Sequence, residues 1–206
     1  MKIKNRTKGT VMMFIGILLL AAALVLTVYN ILEARRAEEA AQAVIPKLQE
    51  QISVKGEETD KPLEGIEMDM FLLSDRKMPA IELDGYRYIG ILEIPALDMR
   101  LPIMEEWDYS RLKIAPCLYE GSVYKDNMVI AGHNYAKHFS PIKNLPVGTE
   151  ITFRDGENRV FEYEIGWIEV LDGTAVEDMI TGDWDMTLFT CTYGGEARYA
   201  VRCFRK

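Results

Sequence analysis

A thiol, an imidazole and a guanidinium are the side chains of this sequence that could together carry nucleophilic chemistry. Thr187 to Arg198 reads Thr-Leu-Phe-Thr-Cys-Thr-Tyr-Gly-Gly-Glu-Ala-Arg. This puts Cys191 at the end of a strand-like run, ahead of a Gly-Gly turn and then Arg198. A two-residue hairpin turn needs positive φ at both central positions, which Gly194-Gly195 supplies. The resulting register sets Tyr193 opposite Glu196, Thr192 opposite Ala197 and Cys191 opposite Arg198. Thiol and guanidinium then share one sheet face with Cβ atoms roughly 5 Å apart. A guanidinium so placed favours the thiolate and can donate to an oxyanion. Arg202 shares that face but pairs near Thr187, roughly 13 Å away at about 3.4 Å per residue, so Arg198 is the better partner. Read alone, the stretch also fits a buried structural cysteine with solvated arginines.

A nucleophilic thiol wants an imidazole as its proton partner. The sequence has two histidines, His133 and His138. His133 follows the apolar run Met128 to Ala131 and a glycine, where a strand gives way to a loop. His138 falls later, between Lys137 and Phe139. A strand-end histidine is aimed by a rigid element, so His133 is the candidate base.

The elements that must position these residues follow in order. Lys2, Lys4, Arg6 and Lys8 form a basic head, and Gly9 to Leu32 carries no charge. About 20 apolar residues span a bilayer core, so 9–32 reads as a retained transmembrane helix rather than a cleaved signal peptide. The basic head sets residues 1–8 in the cytoplasm and the rest outside. Residues 33–85 read as an extracellular stalk and linker. Ala34, Ala37, Ala41, Val44, Leu48 and Ile52 have helical spacing, which suits a solvated helix prolonging the span, with a self-associating seam as the alternative. Pro46 should kink or interrupt it. Ser53 to Lys61 reads as flexible linker, and Leu63 to Gly85 as a short segment packed on the domain or lying in a groove.

The globular domain reads as 86–206. Strands are expected at Tyr88 to Pro95, Met99 to Met104, Asn127 to Ala131, Glu150 to Arg154, Met186 to Cys191 and Ala197 to Phe204. Short helices are expected at Asp108 to Ile114 and around Ser140 to Leu145. The clearest alternation puts Phe161, Tyr163, Ile165 and Trp167 inward and Glu162 and Glu164 outward. Successive short strands with brief helical inserts argue an all-β domain, a barrel or a sandwich.

Of three cysteines, Cys203 alternates onto the face opposite Arg198 and reads as core, and Cys117 has nothing near it that suggests activation. A Cys117 to Cys203 disulfide would leave Cys191 free. The net charge of −8 argues against a nucleic-acid partner. No Gly-rich phosphate loop or His/Cys zinc spacing occurs, and no cofactor or metal is expected. The acidic groups Glu64, Glu67, Asp69 and Asp172, Glu177, Asp178 lack calcium-loop spacing and read as solvated surface.

With these residues in view, the chain resembles the sortases, membrane-anchored cysteine transpeptidases of Gram-positive bacteria. Thr-Leu-Phe-Thr-Cys is similar to their signature, His133 stands in the matching Gly-His position, and Arg198-Tyr199-Ala200-Val201 matches the strand that opens with their arginine. The likeness covers about Tyr86 to the C-terminus and the layout of the anchor. It implies an eight-stranded β-barrel and the catalytic set His133, Cys191 and Arg198. It also implies transpeptidation through a thioacyl intermediate. The implied substrates are secreted proteins with a C-terminal Leu-Pro-x-Thr-Gly-like signal, and the implied acceptors are cell-wall precursor or pilin amines. The close Cys-to-Arg spacing resembles class B more than class A. The segment between Trp167 and Trp184 is short for the helical insert of class B, and no membrane helix follows Lys206, so the subtype stays open. A membrane-anchored cysteine peptidase using water, and a non-enzymatic extracellular binding module, are the competing readings.

Overall fold

The computed structural model describes residues 4–59 and 73–206. Its nine strands are β1 (Ile81–Leu83), β2 (Tyr86–Ile94), β3 (Met99–Met104), β4 (Cys117–Glu120), β5 (Met128–Ala131), β6 (Glu150–Asp155), β7 (Val160–Asp172), β8 (Met186–Cys191) and β9 (Ala197–Arg205). They pair in the order β2-β3-β4-β5-β8-β9-β7-β6, and β6 returns to β2, so eight strands close a ring while β1 adds an edge to the start of β2. Closure removes the unpaired edges that an open sheet would expose. The eight-stranded barrel expected from the resemblance is therefore the fold, and the sandwich is excluded.

The barrel is filled by the inward half of each alternating strand, including Ile89, Leu92, Ile103, Ile130, Phe153, Tyr163, Leu188 and Val201. In β7 the alternation holds for Phe161, Tyr163 and Ile165 and then breaks. The β7–β9 register shifts between Ile165 and Trp167, a bulge at Gly166, where an added Cβ would lie 2.4 Å from the Phe204 ring. One extra residue turns the next side chain to the other face. Trp167, expected inward, is consequently 38% exposed.

Two short helices bridge the strands: α2 (Tyr109–Leu112), capped by Asp108 Oδ1, which accepts from the Ser110 and Arg111 amides, and α3 (Val176–Ile180). Ser140–Asn144 forms a 3-10 turn.

The N-terminal helix α1 (Lys4–Thr59) is continuous. It departs from the expectations in three ways. It passes through Pro46 without interruption, although proline removes one internal hydrogen bond. It also runs through Ser53 to Thr59, the first part of the stretch read as linker. Finally, Ala37, Ala41, Val44, Ile45, Leu48 and Ile52 are buried against the barrel rather than solvated or left as a seam. The burial explains the continuity. A stripe at helical spacing clamped to β1, β2 and β3 holds the turns on both sides of the proline. From 11 to 32 the apolar side chains are exposed, as in Leu20 and Leu24, and Gly9–Gly56 contains a stretch long and apolar enough to cross a membrane. The expectations for 60–72 lie outside the described residues.

Candidate active site

The strand ladder brings Cys191 and Arg198 opposite one another. β8 and β9 pair antiparallel with Cys191 against Arg198 and Thr187 against Arg202. The turn joining them is wider than a two-residue hairpin. Gly195 N donates to Thr192 O at 3.0 Å and Thr192 N to Ala197 O at 2.9 Å, leaving Tyr193 to Glu196 as a four-residue loop without the Tyr193–Glu196 pair. Gly194 and Gly195 both take positive φ, +97° and +82°, values that β-carbon sterics deny most residues.

β5 and β8 run parallel with Ala131 beside Phe189. The ladder ends there, and Gly132 N still donates to Phe189 O at 2.9 Å, so His133 lies in the loop that leaves β5 at the end of the barrel where β8 delivers Cys191. The intervening Gly132 is required, because Phe139 folds back so closely that a Cβ at 132 would lie 2.3 Å from its ring. His133 O accepts from the amides of Tyr135 (2.8 Å) and Phe139 (3.2 Å), which curls the loop after β5 into a compact turn. The His133 ring stacks on Tyr135, centroids 3.9 Å apart and planes within 10°.

Electrostatically, His133 is held below its ordinary pKa. Burial is the largest cause, and the Lys113 ammonium adds to it while Glu33 opposes it. At neutral pH the imidazole is therefore uncharged and able to take a proton. Cys191 is exposed, whereas Cys117 and Cys203 are buried free thiols. Burial pushes the Cys117 thiol up to about 12 and the Cys203 thiol upward as well. The disulfide considered for that pair is absent, and Cys191 is the accessible sulfur.

Arg198 Nη1 donates to the carbonyls of Gly195 (2.8 Å) and Ala197 (3.0 Å), so the guanidinium is held over the turn, and Arg198 lines the same groove as Cys191. Arg202 has a different place. It is fully buried, donating to Glu169 (2.7 Å), Thr187 Oγ1 (2.9 Å) and the carbonyls of Met179 (3.0 Å) and Asp178 (2.6 Å), with Trp184 packed over it. It is neither solvated nor near the thiol. It pegs the end of α3 to the barrel.

α3 forms one wall of a groove of about 200 Å³ lined by Cys191, Arg198, Thr190, Val176, Met179 and an aromatic wall of Trp107, Tyr109, Tyr119 and Phe189. Trp107 packs on Tyr119 (5.1 Å) and Tyr119 edge-on to Phe189 (5.2 Å). The Thr190 hydroxyl is buried without a hydrogen-bond partner. The sequence reading missed this wall, Tyr135 and α3. Trp107 and Tyr109 stand more than 80 positions from Cys191, and only barrel closure places them together. Among the described residues no cluster of three His, Cys, Asp or Glu could hold a metal ion.

A strand-end thiol, a neutral imidazole at the same end of the barrel and a guanidinium across the hairpin are the groups that acyl transfer requires: attack on a carbonyl, proton exchange with the leaving group and donation to the oxyanion.

Comparison with known proteins points to one family. A family model described as Sortase domain matches residues 92–206. No curated protein matches the sequence. Among solved structures, the chain is similar to sortase C of Streptococcus pneumoniae (24% identity, TM-score 0.58, 80% of this chain and 96% of that one), described for its pilin substrate specificity. It is also similar to the sortase D5 transpeptidase of Clostridium perfringens (20%, 0.55, 84% and 99%). A third is Clostridium perfringens sortase C with the C-terminal cell wall sorting motif (22%, 0.52, 82% and 90%). At these identities the likeness is one of fold.

Proposed function

The chain belongs to the sortase family of cysteine transpeptidases, and from that premise we propose that Cys191, His133 and Arg198 are its catalytic residues. The Cys191 sulfur attacks the backbone carbonyl of a sorting motif, and the thiol proton passes through His133 to the leaving amine. The thioacyl intermediate is then attacked by an incoming amine, which gives its proton to His133 as the thiolate leaves and is reprotonated. Arg198 donates to the oxyanion of each tetrahedral state or orients the motif. The observation that supports this reading is the parallel pairing of β5 and β8, which leaves the loop carrying His133 and the strand end carrying Cys191 at the same end of the barrel, with Arg198 in register with Cys191 across the hairpin.

The proposed substrates are secreted proteins with a C-terminal sorting motif, and the proposed acceptors are amines of cell-wall precursor or pilin. Support comes from the similar sortase C that holds such a motif and from the one described for pilin specificity. The protein is proposed to be a single-pass membrane protein, with 1–8 cytoplasmic, 9–32 in the bilayer, and the 33–85 connector and 86–206 catalytic domain outside. The stripe from Ala37 to Ile52 belongs to the core of that domain.

The test is full-length protein in detergent with sorting-motif peptides and an added amine, products read by mass. Amine-ligated product should form and be lost in Cys191→Ala and His133→Ala. Arg198→Ala should lose about 100-fold or more, the range for removing one oxyanion donor. Hydrolysis alone in the presence of amine would favour a peptidase that uses water. An unaltered rate in Cys191→Ala would remove the proposed site.

A further inference from the structure

Glu33 is the first charged residue after 24 uncharged ones. A helix of that length rises about 36 Å, enough to cross a hydrocarbon core of about 30 Å and leave Glu33 in the headgroup layer. Glu33 is also where the barrel begins. Its carboxylate lies 3.8 Å from Lys113 Nζ, just past α2, and it is charge-coupled to Tyr135 and His133. No spacer therefore separates the anchor from the catalytic end of the barrel. Beyond Glu33 the helix leads away from that end. It is clamped by Gln42 to the Arg100 carbonyl (3.2 Å) and by Lys47 to Asp84 (2.9 Å), and Gly56 reaches the Asn158 turn.

The catalytic end so fixed is rimmed by exposed aromatic side chains: Trp107 is 40% exposed, Tyr109 77% and Tyr193, on the loop after Cys191, 98%. Trp and Tyr, apolar in body and polar at one edge, are the side chains favoured at a membrane–water boundary. Of the cations beside them, Arg111 pairs with Glu106 and Asp108, Lys113 with Glu33 and Lys137 with Glu38, so the proposal is carried by the aromatic side chains and not by these charges.

We propose that the catalytic end of the barrel rests on the outer bilayer surface, with Trp107 and Tyr109 seated in the lipid headgroup layer. This rests on the reading of 9–32 as a membrane anchor. Because Trp107 and Tyr109 also line the groove that holds Cys191, the groove mouth opens at the lipid, and a polypeptide still held in the membrane reaches the thiol directly.

The chain has three tryptophans, none within 9–32, so Trp107 is a built-in reporter. Trp167 and Trp184 lie at the level of Arg202 and Thr187, roughly 13 Å further from this end at about 3.4 Å per residue. The experiment is the full-length chain reconstituted in phosphatidylcholine vesicles containing choline-nitroxide lipid, a headgroup-level quencher. Tryptophan emission should be quenched, most of that quenching should vanish in Trp107→Phe, and Tyr109→Trp in the same background should restore it. Quenching that is absent, that is the same in Trp107→Phe, or that needs added phosphatidylglycerol would overturn the proposal. Alkaline carbonate extraction of the same vesicles separates the two readings. A chain retained but unquenched leaves the anchor standing and removes the docking, whereas a released chain removes both.

Discussion

His133 is pulled in opposite directions by two charges that reach it from different elements. Lys113 lowers its pKa and Glu33, on α1, raises it. Lys113→Met should therefore move the His133 titration upward and Glu33→Gln move it downward, read from its imidazole resonances. Shifts of the same sign would contradict the assignment. His138 is a separate case. It is fully buried, and burial, aided by His133 and opposed by a weaker interaction with the Ala37 backbone, pushes it down to about 4. Since the unfolded chain titrates near 6.5, unfolding takes up a proton between those values, and stability must fall as pH drops from 6.5 to 4. A shift of that size corresponds to roughly 3 kcal/mol. His138→Phe, which keeps the ring and removes the titration, should flatten the dependence of Tm on pH in that window, and an unchanged slope would exclude this source. At this scale the sequence conveyed what is local. Gly194-Gly195 announces the turn that sets Cys191 against Arg198. The stack of Tyr135 on His133 and the burial of His138 are not local, because they depend on how the loop after β5 closes.

Helix α1 and the peg under α3 show where element reading fails. The alanines and aliphatics from Ala37 to Ile52 have one spacing whether they face water, a second helix or a barrel, so the pattern alone left the partner open. In the structure they are core. Leu48, fully buried, should cost about 2–5 kcal/mol on substitution by alanine. A fragment starting at Ser53 should be unfolded or molten, whereas one starting at Glu33 should melt cooperatively. Comparable melts for the two fragments would show that the helix is dispensable. The sequence offers Arg202 as the poorer partner of the thiol or, if Cys191 were structural, as a solvated arginine, yet it satisfies the carbonyls that end α3 and the Glu169 carboxylate. Arg202→Met leaves those groups unpaired and should destabilise by about 3 kcal/mol while loosening the groove wall. Arg198→Ala should change stability by less than about 0.5 kcal/mol, as for a surface position, while reducing turnover. Thermal melts beside turnover assays separate the two arginines, and equal stability losses would contradict these roles.

Over the whole molecule, the sequence's short strands and turns pointed to an all-β domain, and closure followed once β6 paired with both β7 and β2. β4 was missed because the register slips within its four residues, between Leu118 and Glu120, and leaves no alternation, and Trp167 was misplaced because a one-residue bulge is invisible to alternation. The ring is nonetheless what makes the site, since it sets the ends of β5 and β8 side by side and brings Trp107 to Cys191. The central claim is that the thiol so presented becomes acylated. Full-length protein incubated with a sorting-motif peptide and no amine should gain, by intact mass, the acyl portion N-terminal to the scissile bond. Peptide mapping should place it on Cys191, and an added amine should release it as ligated product. If substrate is consumed with no adduct on Cys191, or if an adduct forms equally in Cys191→Ala, the covalent mechanism at this site is contradicted.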